Sequence, residues 1–260
     1  MSGFLLVNPR AGAGRPSTDE LVKAARRRGI KTHVLRERQD PFELARAADA
    51  SALGMAGGDG SLAPVAAAAL ERDLPFVCVP FGSYNHFAWD AGFDRDDPLG
   101  ALDAFDGAER QVDVGRVGDH GVFLNTVSFG LYAALVAEED RVGTRLGAAA
   151  RLVFRPKQVR LAIDGEPVTA RIVVVANNEY RLHPLEVGQR PRLDGGILHL
   201  GIARGLLPWS WEERRAARFS VDVHGPSVEA AIDGEPVRLR TPVELRVEPR
   251  ALRLLLPERR

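Results

Sequence analysis

Ala52-Leu53-Gly54-Met55-Ala56-Gly57-Gly58-Asp59-Gly60-Ser61-Leu62 joins a short apolar run to an alanine-rich one that continues to residue 70. The stretch reads as a strand, a tight glycine turn and the start of a helix. Three glycines in four residues let the backbone approach a bulky anion, because no β-carbon stands in the way. A helix beginning near Ser61 adds free backbone N–H groups and the positive end of its dipole, which together favour phosphate. Asp59 is the odd member, since a carboxylate repels a bare anion; it fits if it orders a Mg²⁺, a water or a substrate hydroxyl. The alternative is a plain strand-to-helix turn with Asp59 as a cap.

On the N-terminal side, Phe4-Leu5-Leu6-Val7 runs into Asn8-Pro9-Arg10-Ala11-Gly12-Ala13-Gly14-Arg15, a buried strand feeding a glycine-rich turn. Residues 17–28 have helical spacing, with Leu21, Val22 and Ala25 on one face and Gly29 as terminator. A strand over 32–35 and a helix over 41–48 lead back to the central turn. On its other side, Pro75-Phe76-Val77-Cys78-Val79-Pro80 is a further buried strand, followed by Phe81-Gly82-Ser83-Tyr84-Asn85-His86-Phe87-Ala88. Three strand ends thus carry glycine-rich or polar turns, and in a doubly wound parallel sheet such turns line one crevice.

From about residue 110 the pattern changes to short runs separated by Gly, Pro or Asp. These are 112–117, 121–125, 159–163, 170–176, 197–203, 228–232, 243–247 and 252–256, the signature of antiparallel β structure. One helical stretch, 131–151, interrupts it. The expected organisation is an α/β domain over 1–110 and a β-sandwich over 111–260. Ile-Asp-Gly-Glu-Pro-Val occurs twice, at 163–168 and 232–237, and each copy reads locally as an Asp-Gly hairpin.

Basic and acidic side chains both number 35, so no global field draws the chain to nucleic acid. Cys78 is the single cysteine, which excludes an internal disulfide and points to a cytoplasmic compartment. No stretch has the length and continuous apolarity of a membrane span, so any encounter with a membrane is at its surface. The six histidines show no zinc-site spacing. Leu206-Leu207-Pro208-Trp209-Ser210-Trp211, followed by Arg214, Arg215 and Arg218, has two readings: an interfacial membrane contact, or core tryptophans beside a solvated helix face.

The ordered set Leu6-Val7-Asn8-Pro9, Gly57-Gly58-Asp59-Gly60-Ser61, Pro80-Phe81-Gly82-Ser83 with Asn85, Asp113-Val114-Gly115, Phe123-Leu124-Asn125 and Ile232-Asp233-Gly234-Glu235 resembles the diacylglycerol kinase catalytic-domain family of bacterial lipid kinases and sphingosine kinases. The resemblance covers nearly the whole chain. It implies an ATP- and Mg²⁺-dependent phosphoryl transfer to a lipid hydroxyl at a membrane surface, with the nucleotide in a cleft between the two domains. Homodimerisation stays open. Carried over by motif, Asn8, Pro9, Gly57, Gly58, Asp59, Gly60, Ser61, Gly82, Ser83 and Asn85 would meet the nucleotide. Asp59 and Asp113 would organise the metal, and Asp233 would be the base that accepts the hydroxyl proton, with Glu235 beside it. Two family carboxylates are replaced, by His86 and by Gly195, and Glu179-Tyr180-Arg181-Leu182 stands where a glycine-rich stretch is expected after Asn178. These departures imply reduced activity. The rival readings are a catalytically weak nucleotide- or lipid-binding module and a soluble-substrate kinase of the NAD kinase type.

Overall fold

A computed structural model describes residues 2–11, 16–130, 158–181, 190–205 and 211–258. The expected helix at 131–151, the glycines at 12 and 14, and Trp209 lie outside the described residues. The chain divides into two compact units: 1–114 with 192–194 and 250–260, and 115–191 with 195–249. The expected division at 110 therefore falls four residues early, and the last eleven residues group with the first unit rather than the second.

In the first unit, β1 (Gly3–Val7), β2 (Lys31–Val34), β3 (Ala52–Gly57) and β4 (Phe76–Pro80) form a parallel sheet in the order β2-β1-β3-β4. Every residue of β3 and β4 is buried, as continuous apolar runs require when helices cover both faces. The helix α1 (Thr18–Arg27) starts on a capping box in which Ser17 and Glu20 satisfy each other's backbone N–H, and it buries Leu21, Val22, Ala24 and Ala25. The helix α2 (Pro41–Ala47) starts on Asp40, with Pro41 in its first turn. The helix α3 (Asp59–Glu71) buries six of its residues, four of them alanine. A β-carbon on Gly3 or Gly54 would lie 2.6 Å from the ring of Phe105, so two strand glycines make the seat for that buried aromatic. Phe105 belongs to a 3₁₀ helix over Gly100–Asp106 that the sequence pattern did not disclose.

The second unit is antiparallel throughout. Six strands run in the order β12 (Trp211–Ala216), β11 (Leu198–Ala203), β10 (Ile172–Asn177), β7 (Thr126–Gly130), β14 (Ser227–Ile232), β15 (Glu235–Arg240). Beside them, β13 (Arg218–Asp222) pairs with the hairpin strand β8 (Val159–Ile163), whose partner is β9 (Glu166–Ala170), and with the start of β16 (Val243–Leu256). Alternating residues from both sets, including Phe129, Val175, Leu200, Phe219 and Leu245, share one buried core. The arginines at 214 and 215 sit on the strand β12, so the solvated-helix reading is wrong there. Each is ion-paired: Arg214 with Glu166 and Glu212, Arg215 with Glu179 and Glu213.

Both Asp-Gly pairs are two-residue hairpin turns with positive φ at both positions, 52° and 84° at Asp164-Gly165 and 49° and 89° at Asp233-Gly234. The two copies do the same mechanical work. Asp164 donates its N–H to Ser220 O and accepts Ser220 N–H on its carboxylate. Asp233 donates its N–H to Thr126 O and accepts Thr126 N–H. Each hairpin tip is thereby tied to the strand beside it.

Candidate functional site

In the first unit, the turns after β3 and β4 meet backbone to backbone. A β-carbon on Gly82 would fall 2.3 Å from Gly58 Cα and 2.8 Å from Gly58 N, a separation no real side chain tolerates. Phe81 N–H donates to Gly57 O at 3.2 Å, and Ser61 Oγ–H donates to Gly58 O at 2.7 Å. Asn85, buried and in the left-handed region at φ 52°, closes the second turn: its Oδ1 accepts Gly82 N–H and its Nδ2 donates to Gly82 O, both at 2.8 Å. Asn8 ends β1 beside them, donating its N–H to Ala56 O at 2.9 Å and accepting Arg10 N–H on its own side chain. Of the predicted nucleotide residues, the structure thus brings Asn8, Gly57, Gly58, Ser61, Gly82 and Asn85 into one connected set. Ser83 is exposed beside it, as is Pro9. The helix α3 starts at Gly58 with no side-chain cap, so the positive end of its dipole is not screened by a capping side chain.

Asp59 does not cap its own helix. Its Oδ2 accepts His86 N–H at 3.0 Å and its Oδ1 accepts Phe87 N–H at 2.9 Å, so it caps α4 (His86–Ala91), whose own N-cap residue Asn85 supplies no side-chain bond. The glycine turn is therefore coupled to the following helix through one carboxylate. Asp59→Ala should orphan two N–H groups of α4 and destabilise the protein by about 1–2 kcal/mol, the usual worth of a cap, read as a lowered urea midpoint; an unchanged midpoint would refute this role. The ring of His86 stacks on Tyr84 with centroids 5.8 Å apart and planes 1° from parallel. Beneath the turn, burial and then the charge of Asp59 push the Cys78 thiol well above its ordinary pKa, so it stays protonated and unreactive.

Asp113, 1% exposed, lies on β5 (Ala108–Val117). Its Oδ1 accepts Arg250 N–H and its own N–H donates to Leu193 O, both at 2.7 Å. One side chain and its backbone thus gather the three separated segments of the first unit. Asp194 is held by Arg192 at 3.0 Å with Arg110 at 3.7 Å; first the hydrogen bond from Arg192, then the charges of both guanidiniums, keep its carboxyl below the usual carboxylate range. No three His, Cys, Asp or Glu side chains among the described residues gather to hold a metal, and Asp59 and Asp113 both accept backbone amides. These residues build no metal cage of their own.

The carboxylate of Asp233, 6% exposed, accepts three successive backbone N–H groups in the second unit: Leu124 at 2.7 Å, Asn125 at 2.8 Å and Thr126 at 2.9 Å. Glu235, two residues on, is exposed. Around the same turn lie buried polar groups that the sequence did not reveal: Arg190, Asn177 and Asn178. Arg190 donates to Leu124 O and Asn125 Oδ1. Asn178 Oδ1 accepts Gly195 N–H at 2.6 Å, and a β-carbon on Gly195 would fall 2.7 Å from that oxygen. A side chain at 195 would therefore crowd the Asn178 amide that accepts its N–H. The one signal for this cluster was Asn177-Asn178 at the end of an otherwise apolar strand.

Residues 2–117 match the family model described as the diacylglycerol kinase catalytic domain. A Klebsiella pneumoniae (strain 342) protein named "Probable lipid kinase YegS-like" is 26% identical over 251 residues, covering 90% of this chain and 82% of its own. The Salmonella arizonae "Probable lipid kinase YegS" is 25% identical over 298 residues, covering 98% and 95%. Among solved structures, "The crystal structure of a diacylglycerol kinases from Bacillus anthracis str. Sterne" aligns with a TM-score of 0.74 at 18% identity, over 99% of this chain and 97% of that one. That likeness shows the fold: an N-terminal α/β domain with a mostly parallel sheet and an antiparallel C-terminal domain.

Proposed function

We propose that this chain, whose residues 2–117 match the model of the diacylglycerol kinase catalytic domain, is a member of that family and transfers the γ-phosphate of ATP to the hydroxyl of a membrane lipid such as diacylglycerol. The observation that carries the reading is the backbone contact between Gly58 and Gly82 beside an uncapped α3 N-terminus. It offers amides and a helix dipole, rather than side chains, to the phosphates. Phosphoryl transfer asks the protein for little covalent chemistry; it needs positioning and a carboxylate to take the hydroxyl proton. Mg²⁺ supplies charge neutralisation on the phosphates when bound with the nucleotide. Of the two carboxylates in the late Asp-Gly-Glu, Asp233 is buried with three amides on it, whereas Glu235 is exposed. We assign proton acceptance to Glu235 and the shaping of its hairpin to Asp233. No helix among the described residues is long and apolar enough to cross a membrane, so the lipid is met at a surface.

A second reading, a nucleotide- or lipid-binding module with little turnover, is favoured by His86, whose ring is engaged in a stack with Tyr84 rather than offering a carboxylate. The experiment that separates them supplies ATP and Mg²⁺ with vesicles of a total lipid extract, and separately with water-soluble alcohols and NAD, followed by mass spectrometry. Phosphorylated lipid is the expected product. ATP binding with no phosphorylated product selects the binding module, and a phosphorylated soluble acceptor selects the soluble-substrate kinase.

A further inference from the structure

Among the described residues, the large apolar side chains that stay exposed are Val34, Tyr84 at 46% and Trp89 at 49%. Single exposed residues mean little, whereas a contiguous patch marks a contact surface. Tyr84 and Trp89 belong to one patch. His86 and Trp89 stand three apart on α4 and so share one face of that helix, and the ring of Tyr84 lies parallel to that of His86 with centroids 5.8 Å apart. At the far end the Arg95 guanidinium sits 4.9 Å from the centre of the Trp89 ring. The inner face of α4 buries Phe87, Ala88 and Ala91, so the short helix is anchored on one side and aromatic on the other. His86, the departure from the family pattern, is the middle ring of the strip; an aspartate there would break the stack.

Tyrosine and tryptophan suit the boundary between hydrocarbon and water, each having an apolar ring and a polar tip. Charge selects the kind of boundary. Between residues 84 and 97 the chain carries Asp90, Asp94, Asp96 and Asp97 against Arg95 alone, and the last three of those aspartates are exposed. Such a set repels nucleic acid, acidic proteins and anionic lipid. A zwitterionic headgroup matches it, with its phosphate on the guanidinium and its ammonium among carboxylates and ring faces. We propose that the strip Tyr84, His86, Trp89 with Arg95 docks the protein on membranes of zwitterionic, ammonium-bearing lipid. This rests on the reading of the chain as a kinase of membrane lipid and names the face it presents. Docking there is coupled to the glycine turn, because the Asp59 carboxylate holds the N–H groups of His86 and Phe87 at the start of α4.

The test needs no turnover. The full chain is titrated with vesicles of phosphatidylcholine and, separately, of phosphatidylglycerol, and bound protein is read by flotation. Expected is binding to phosphatidylcholine, and weaker binding to phosphatidylglycerol at low salt, where charge repulsion is least screened. Tyr84→Ser/Trp89→Ser should lower the affinity for phosphatidylcholine at least about tenfold, the worth of two partly buried rings. Asp96→Lys, on an exposed side chain, should raise the affinity for phosphatidylglycerol. The conservative Trp89→Phe keeps the test sharp should the double variant misfold. Phosphatidylcholine brominated in its acyl chains should quench the parent's tryptophan fluorescence, and Trp89→Phe should remove that quenching although Trp209 and Trp211 remain. Four results would each overturn the proposal: no binding to phosphatidylcholine, tighter binding to phosphatidylglycerol, parent affinity in a folded double variant, or quenching that survives in Trp89→Phe. The last would move the contact to Trp209-Ser210-Trp211. A parent dimer in solution that the double variant turns into a monomer would overturn it as well, since the strip would then cover a second copy of the chain. Vesicle binding as expected in a protein that phosphorylates nothing would leave the docking face standing and remove the kinase reading alone.

Discussion

Gly82→Ala is expected to destabilise the first unit by about 2–3 kcal/mol and to weaken ATP binding at least tenfold, while Gly58→Ala costs under about 1 kcal/mol. The two glycines face each other, but the crowding is one-sided. The methyl group added at Gly82 falls 2.3 Å from Gly58 Cα and 2.8 Å from Gly58 N, whereas one added at Gly58 meets Gly82 Cα at an ordinary 3.6 Å. The atoms in the way at Gly82 are backbone, which cannot rotate aside as a long side chain would. That backbone is pinned by the Gly57 O to Phe81 N–H bond and by Asn85 on both sides of Gly82. Relief requires the ends of β3 and β4 to move apart, and inserting one methyl into so tight a place costs roughly 1–3 kcal/mol or more. Moving them apart also separates the amides proposed to cradle phosphate, so binding and stability should fall together. Gly58 has an extended backbone, φ −79° and ψ 172°, which any residue adopts. Calorimetry with ATP and urea denaturation decide the matter: equal effects at 58 and 82, or a Gly82→Ala protein with the parent's affinity, would refute the placement of the site.

This asymmetry shows where the sequence is readable and where it is not. Buried parallel strands announce themselves as continuous apolar runs with glycine turns at their ends, so β1, β3 and β4 and their convergence could be read directly. What Gly57, Gly58 and Gly82 each do depends on the turn 25 residues away, and no local pattern carries that. Asp59 caps a helix 27 residues downstream for the same reason. The strands β12, with Glu212-Glu213-Arg214-Arg215 at its centre, and β15, with Arg238 and Arg240, are the outer strands of their six-stranded path. Their charge hid them from a search for apolar alternation, and charged outer strands are how sheets avoid sticking to one another. The opposite error occurred at β16, read as two strands because Glu248-Pro249-Arg250 breaks the apolar pattern. The strand continues through it, with Arg250 at φ 52° and its N–H taken by Asp113. A break in pattern was thus mended by a carboxylate distant in sequence.

The repeated Ile-Asp-Gly-Glu-Pro-Val sets up an internal comparison, because Asp164 and Asp233 occupy the same turn position in the same hairpin type and differ in what surrounds them. Asp164→Asn should be neutral to within about 0.5 kcal/mol, as exposed substitutions usually are. Asparagine suits the first position of this turn, and its side-chain oxygen can still accept Ser220 N–H. Asp233→Asn should cost about 2–4 kcal/mol in the second unit. The asparagine oxygen can keep two of the three amides, but its NH₂ group then faces the remaining N–H. A donor set against a buried donor leaves that amide unpaired, at about 1–3 kcal/mol, and the two bonds that survive lose the strength that a charged acceptor gave them. A drop in turnover in Asp233→Asn would therefore not identify a base. Glu235→Gln separates the roles: on an exposed residue it should leave the urea midpoint unchanged, yet lower turnover by roughly a hundred- to ten-thousandfold if its carboxylate takes the hydroxyl proton, with ATP affinity intact. If instead Glu235→Gln turns over like the parent while Asp233→Asn is as stable as the parent and inactive, then the buried carboxylate is the base, and the three amides belong to its catalytic setting rather than to the architecture of the hairpin.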